Sequence, residues 1–244
     1  MNPRVLCLIA VLLLSAWPAL ANPKKLGSCT TITDPGPYVI TDNINAAGDC
    51  FIIAADYVSI DFAGHVLSGN NTGYAVRGNG VLRRGLAFRG GTIRNFQYGI
   101  AFGSGGIYVT VENMFIFHCT NVGIGVNEFG LIRNNTCSEN GDGINVGSRS
   151  IVVENISSFN TGTGIVASAG SVVARNNAGH NGNNGIVTTH ACTVQGNAAH
   201  ANGNFGIFVD CPTTVMDNAA ANNTNADLFT SGSSCNRNHN VPMP

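Results

Sequence analysis

Three consecutive blocks, NISSFNTGTGIVASAGSVVAR (155–175), NNAGHNGNNGIVTTHACTVQG (176–196) and NAAHANGNFGIFVDCPTTVMD (197–217), align without a gap. Self-similarity at a fixed period of 21 residues is the signature of a repeat architecture. Each block opens on Asn and carries Gly-Ile at the same offset: Gly164-Ile165, Gly185-Ile186 and Gly206-Ile207. Working outward, the dipeptide recurs at Gly143-Ile144, Gly123-Ile124 and Gly99-Ile100. One step forward the apolar slot is Leu228, and steps of 24 backward reach Val76 and Ile52, which makes nine coils of 21–24 residues.

After each Gly, apolar residues fall at alternate positions, as in Ile124 and Val126, Ile144 and Val146, Ile207 and Val209. That is the period of a strand with one buried face. Three short apolar segments per coil, broken by Gly and Asn, are too short for helices and too rich in helix breakers. Stacking equivalent strands in parallel predicts an all-β, right-handed single-stranded parallel β-helix, with nine coils rising ~4.8 Å each into a rod of ~43 Å. The rival solenoid of similar period, the leucine-rich repeat, requires a Leu-x-x-Leu-x-Leu frame. Between Asn121 and Asn225 the chain has one Leu, Leu131.

Asn113, Asn134, Asn155, Asn176, Asn197 and Asn218 keep strict 21-residue time and are expected to form a structural ladder. An inward amide at a tight corner must pair with corner backbone and with the Asn above and below, and Asn tolerates left-handed corner backbone. Asn160, Asn181, Asn202 and Asn223 form a further row. Glu112, Arg133, Glu154 and Arg175 alternate in sign at the same spacing, which predicts a surface ladder of ion pairs.

Met1 to Ala21 reads as a cleavable signal peptide: Arg4, the apolar run Val5 to Leu14, and the small-x-small site Ala19-Leu20-Ala21. The alternative, a membrane anchor, needs a longer apolar run than this. Residues 22–57 then form an N-terminal cap and first coil, 58–230 the β-helix, and 231–244 a tail or cap. Removing Arg4 from the 12 Lys and Arg leaves 11 against 13 acidic residues. No basic run points to nucleic acid, and no later apolar stretch predicts a membrane span. A secreted or periplasmic location is the expectation. Of the eight cysteines, Cys7 leaves with the signal. Cys29 with Cys50, Cys119 with Cys137, and Cys192 with Cys211 stand one coil apart at similar angles and are disulfide candidates. Cys235 is left over or competes for Cys211.

The segments Asp34-Pro-Gly-Pro-Tyr38 and Val58-Ser-Ile-Asp-Phe-Ala-Gly-His65, with the Gly-Ile and Asn rows, resemble the bacterial β-helix repeat proteins of the pectin-lyase-like superfamily. The resemblance covers the chain after the signal. It implies the fold, and it implies that the Gly-Ile face corresponds to the substrate side of the superfamily's enzymes. It does not fix an activity, because that superfamily holds lyases, hydrolases, epimerases, adhesins and proteins of unassigned role.

On that face, Asp142 and Glu128 are the candidate catalytic carboxylate pair, since glycosidic chemistry needs an acid and a base or nucleophile. The competing reading makes Asp142 a turn residue. Tyr98, Asn127, Asn145, His190, Asp210, Phe208 and Phe229 are candidate ligand-binding residues, the two Phe as a platform for sugar rings. His118, His180 and His200 drift in register, and a metal site needs convergent ligands. No metal or cofactor is expected. The polygalacturonase Asp-Asp marks and the epimerase Asp-Pro-His-Asp are missing, and coils near minimal length leave no long loops to wall a cleft. The expected function is binding of a polysaccharide or a cell-surface partner along the parallel sheets. The alternative is a polysaccharide-modifying enzyme (lyase, glycoside hydrolase or epimerase) with a non-standard site.

Overall fold

The computed structural model describes residues 22–242. The expected signal peptide, Met1 to Ala21, lies outside the described residues. From Lys24 onward the chain winds as a right-handed parallel β-helix in which every strand pairing is parallel. A typical coil has three short strands: Ile165–Ala167, Val172–Ala174 and Asn177–Gly179. Each pairs with its counterpart one coil on, so the strands form three stacks. The stack that contains the Gly-Ile dipeptides holds ten strands, from Thr30–Ile32 to Ala226–Ser231. This is one more than the nine apolar slots read from the sequence. The slot assigned there to Ile52 is held by Phe51, which is buried level with Val76 while Ile52 turns outward beside Arg77. The extra strand, Thr30–Ile32, pairs with Phe51–Ile53 and lacks the Gly-Ile mark. The other two stacks are joined by two long strands, Arg83–Arg94 and Gly106–Phe117, which run through the corner between them. At the far end, Asn236–Asn238 and Val241–Pro242 continue these stacks.

The core changes character along the axis. In the wide N-terminal coils it is filled by Phe62, Phe88, Phe96, Ile93 and Ile116. In the narrower coils beyond, the inward row of the third stack is Cys137, Ser157, Ala178, Ala199 and Ala220, all small. Close packing forces this match of side-chain volume to coil width. The Ile row from Ile100 to Ile207 is fully buried throughout.

Two amide ladders line two corners of the narrow coils. The first runs Asn135, Asn155, Asn176, Asn197, Asn218, Asn240; the second runs Asn140, Asn160, Asn181, Asn202, Asn223. Their bonding is directional. The Asn155 backbone N–H and Nδ2 both donate to Asn176 Oδ1, at 2.9 and 3.0 Å, while Asn176 Nδ2 donates to the Val152 carbonyl at 2.9 Å. Asn113 and Asn134, expected in the first ladder, are not in it. Both are exposed corner residues with φ of 54° and 55°. The ladder positions of their coils are held by Met114 and Asn135, and the Met114 N–H donates to Asn135 Oδ1. The cause is a single coil of 20 residues. It moves Ile124 to Ile144 and Asn135 to Asn155, so a count of 21 slips from the ladder to the corner. The same slip breaks the expected charge ladder into two separate pairs, Glu112–Arg133 and Glu154–Arg175. A third corner has a row of small polar side chains: Ser150, Ser171, Cys192 and Thr213.

The Gly of each Gly-Ile is required by space, since none of the six from Gly99 to Gly206 has positive φ. A Cβ on Gly164 would lie 2.6 Å from both the Gly185 carbonyl and Asn181 Nδ2, and Gly185 and Gly206 are equally confined. The row ends at Asp227, which stands one coil after Gly206. Its Oδ1 accepts from the Asn223 N–H and Nδ2 at 3.1 and 2.8 Å, so a carboxylate closes the second ladder.

Two disulfides are formed, Cys29–Cys50 and Cys211–Cys235. The expected Cys119–Cys137 and Cys192–Cys211 bonds are not, and Cys119, Cys137 and Cys192 are buried free thiols. Register explains both outcomes. Cys29 stands directly beside Cys50 at the head of paired strands. Cys137 is level with Ile116, whereas Cys119 sits at the next corner with its N–H donating to Asn140 Oδ1. Cys192 is level with Thr213, to which its N–H donates. Burial pushes the Cys119 thiol up to about 12, and burial likewise raises Cys137 and Cys192.

Replacing Asn135 by Ala is expected to lower stability by ~2–4 kcal/mol, because it strands the Met114 N–H and the Val111 carbonyl in the core. Asn134→Gly is expected to stay within ~0.5 kcal/mol, since Gly accepts the left-handed corner. Urea midpoints of the two variants check the register; equal losses would contradict it. A thiol alkylating reagent at neutral pH is expected to leave Cys119, Cys137 and Cys192 unmodified in the native protein, because thiolate is the reactive form and burial suppresses it. In denaturant without reductant all three should be labelled, as read by peptide mass.

Candidate functional site

Strand alternation decides which residues of the Gly-Ile stack reach the surface. With each Ile turned inward, the next residue faces out, giving the row Ala101, Gly125, Asn145, Val166, Val187, Phe208 and Phe229. Flanking it on the preceding side are Tyr74, Tyr98, Val122 and Asp142. Where the central row shrinks to Ala101 and Gly125, the face sinks into an open groove of about 860 Å³. The floor of the groove is therefore made by missing side chains, and short corners on either side of the strands form its rims.

Tyr98, Asn127, Asp142 and Asn145, four of the expected site residues, line this one groove. Tyr74 joins them, its ring stacked on Tyr98 with centroids 4.4 Å apart and planes at 7°. Burial, reinforced by the Tyr98 phenol beside it, raises the Tyr74 phenol, so it remains a hydrogen-bond donor at neutral pH. The Asn145 side chain is exposed, and Asn127 Nδ2 donates to the Ser104 carbonyl at 3.3 Å. Asp142 Oδ1 accepts the Thr163 N–H at 2.7 Å, and a Cβ on Gly162 would overlap that oxygen. Asp142 is thus held as a turn residue of the neighbouring coil while its edge faces the groove.

The other expected residues lie elsewhere. Glu128 does not line the groove; it pairs with Arg149 at 3.0 Å, and the Arg149 guanidinium lies over the Phe129 ring. His190 is exposed at a corner further along. Phe208, Phe229 and Phe205 form a cluster with centroids 5.0–5.5 Å apart near the C-terminal end of the same sheet, where Asp210 also lies. His118 bonds Glu139 at 2.6 Å, while His180 stacks on Phe159 and meets His200 edge-on. Among the described residues no group of three or more His, Cys, Asp or Glu is placed to hold a metal ion. Nor, among them, is any helix long and apolar enough to cross a membrane.

Sequence reasoning missed Tyr74 and the groove floor. The signal for the floor was present: Gly-Ile-Ala and Gly-Ile-Gly at 99–101 and 123–125 stand against Gly-Ile-Val and Gly-Ile-Phe later.

These features define a right-handed parallel β-helix with a shallow groove on the Gly-Ile face. Neither a comparison with protein families nor one with curated proteins returns a match. Among solved structures, the A-module of mannuronan C-5 epimerase AlgE4 from Azotobacter vinelandii superposes with a TM-score of 0.71 at 19% identity, over 80% of this chain and 65% of that one. The Dettilon tailspike protein gives 0.63 at 15% identity, over 77% and 44%. A single-residue mutant of the periplasmic alginate epimerase AlgG gives 0.61 at 15%, over 88% and 70%. The chain thus spans less than two thirds of the first two structures, and at these identities the likeness is one of fold.

Asp142→Ala is expected to lower stability by ~1–2 kcal/mol through loss of the Thr163 acceptor, whereas Asp142→Asn, which keeps an oxygen there, should cost well under half of that. Thermal or urea unfolding of both variants decides it, and equal losses would remove the turn role.

Proposed function

We propose that this protein is an exported β-helix that binds a polysaccharide in the Gly-Ile groove without turning it over. The observation that carries the reading is the composition of the groove: a stacked Tyr pair and side-chain amides around a floor of Ala101 and Gly125, with one carboxylate already tied to backbone. Apolar ring surface, phenol hydroxyls and side-chain amides are what the carbon-bound hydrogens and hydroxyls of a sugar recognise, and the stacked Tyr pair offers its edges and hydroxyls. Two disulfides support an oxidising, exported location. The similar folds named for mannuronan and alginate epimerases support a polysaccharide as the class of ligand.

The same composition argues against hydrolysis. Acid–base cleavage of a glycosidic bond uses two carboxyl groups facing one another across the bond. Here Asp142 lines the groove, and Glu128 is neutralised by Arg149 outside it.

The test is incubation with a panel of neutral and uronate polysaccharides, followed for retention, new reducing ends and unsaturated products. Retention without products is expected. Turnover that Asp142→Ala abolishes would replace this reading with the enzymatic one. Gly125→Val raises the groove floor to the height of Val166 and suits a strand, its Cβ meeting Val122 at 3.3 Å. It is expected to weaken retention at least tenfold with the unfolding midpoint unchanged or higher. Undiminished retention would move the site off this face.

A further inference from the structure

The groove occupies only part of the Gly-Ile face, and the remainder has a pattern of its own. The central outward row continues from Asn145 over Val166 and Val187, a flat β-branched ridge, to Phe208 and Phe229. With Phe205 these two make a second aromatic platform, and Phe229 is 41% exposed. The final strands continue their own stacks and do not fold over it. Tyr98 and Phe208 are thus on one straight row system, five coils apart, which is ~24 Å at the rise of parallel strands. Between the platforms the flanking positions hold Asn127, Ser168, Asn184 and Thr189, neutral hydrogen-bonding groups, beside Val122, Asp142, Gly147 and a buried Thr163. The three outward rows from Tyr98 to Phe229 contain no Lys, Arg or His; their charges are Asp142 and Asp210.

Resting on the polysaccharide reading of the groove, the geometry points to an uncharged linear glycan that runs along the helix axis and is anchored at both ends, on Tyr98 and on the Phe205–Phe208–Phe229 platform. An extended pyranose chain advances by nearly one coil rise per ring. A chain of about six rings therefore reaches from one platform to the other. A polyuronate would bring a carboxylate at each ring to a track that from Tyr98 onward has two of its own and no cation, since Arg77, the residue before Ala101 in the central row, is paired with Asp49 at 2.6 Å. The neutral class is thereby favoured even though the similar folds are named for alginate and mannuronan. Linking two modest platforms by one rigid ligand makes the second contact intramolecular, so affinity should rise steeply once the chain spans both.

The experiment uses immobilised neutral polymers (glucan, mannan, galactan, xylan) and the polyuronates mannuronan and polygalacturonate. Calorimetry then follows with three- and six-unit oligomers of the neutral polymer that is best retained. The six-unit oligomer is expected to bind at least tenfold tighter than the three-unit one. The double variant F208A/F229A should abolish the length preference, so that the six-unit oligomer binds no tighter than the three-unit one. The double variant F208W/F229W should keep the length preference, which separates loss of the platform from loss of the fold. Tyr98→Ala should weaken both oligomers. Equal affinity for the two lengths would overturn the two-platform track, and tighter retention of a polyuronate would overturn the neutral class. Retention of no polymer at all would instead sink the underlying polysaccharide reading.

Discussion

The narrow coils of this molecule depend on one repeated contact: an inward asparagine amide whose oxygen accepts from the coil before it and whose N–H groups donate to the coil after it. A buried amide left half paired costs ~1–3 kcal/mol for each stranded group, and here every link except Asn140–Asn160 shares its oxygen between two donors. Coils that drifted in length or angle would break two sets of bonds at once, above and below. The ladders therefore hold successive coils to 20–22 residues and similar corners from Asn135 onward. Among the described residues, Thr188 Oγ1 is the one buried side-chain polar atom without a partner, which shows how completely the ladders satisfy the interior.

That constraint shapes the surface as much as the core. Coils held to minimal length have no room for long loops, so the Gly-Ile face cannot be walled into a deep cleft. Relief on it arises only by changing side-chain size along a row. Ala101 and Gly125 lower the floor, Val166 and Val187 level it, and Phe208 and Phe229 raise it. A face built this way suits grip along a polymer better than the enclosure that bond cleavage demands.

The ladders also have ends, and each end is built differently. Met114 and Cys119 offer only backbone N–H groups to the first amides, which lets the preceding coils widen around an aromatic core. Asp227 takes the slot of the Gly-Ile glycine and closes the second ladder with its own carboxylate. The disulfides lie outside the laddered region or at its margin, Cys29–Cys50 on the first coils and Cys211–Cys235 on the last. Covalent bonds thus secure the ends, where stacking on one side is lost.

By itself the sequence determined the architecture, because a period of 21 with Gly-Ile and Asn in fixed phase admits few other folds. It also placed Tyr98, Asn127, Asp142 and Asn145 on one face, since strand alternation alone sets which residues turn outward. What tertiary structure decided was register at the scale of a single residue. One coil of 20 moved the ladder from Asn134 to Asn135 and separated Arg133 from Glu154. Register also left Cys119, Cys137 and Cys192 unpaired although each had a cysteine about one coil away. The groove needed the structure for the same reason. Its floor is an absence of side chains, and an absence becomes a surface feature only when the neighbouring coils are stacked around it. Glu128 and Asp142 were parted because Asp142 opens its strand, level with Val122, whereas Glu128 lies past the end of the preceding coil's strand, at the corner, where it meets Arg149.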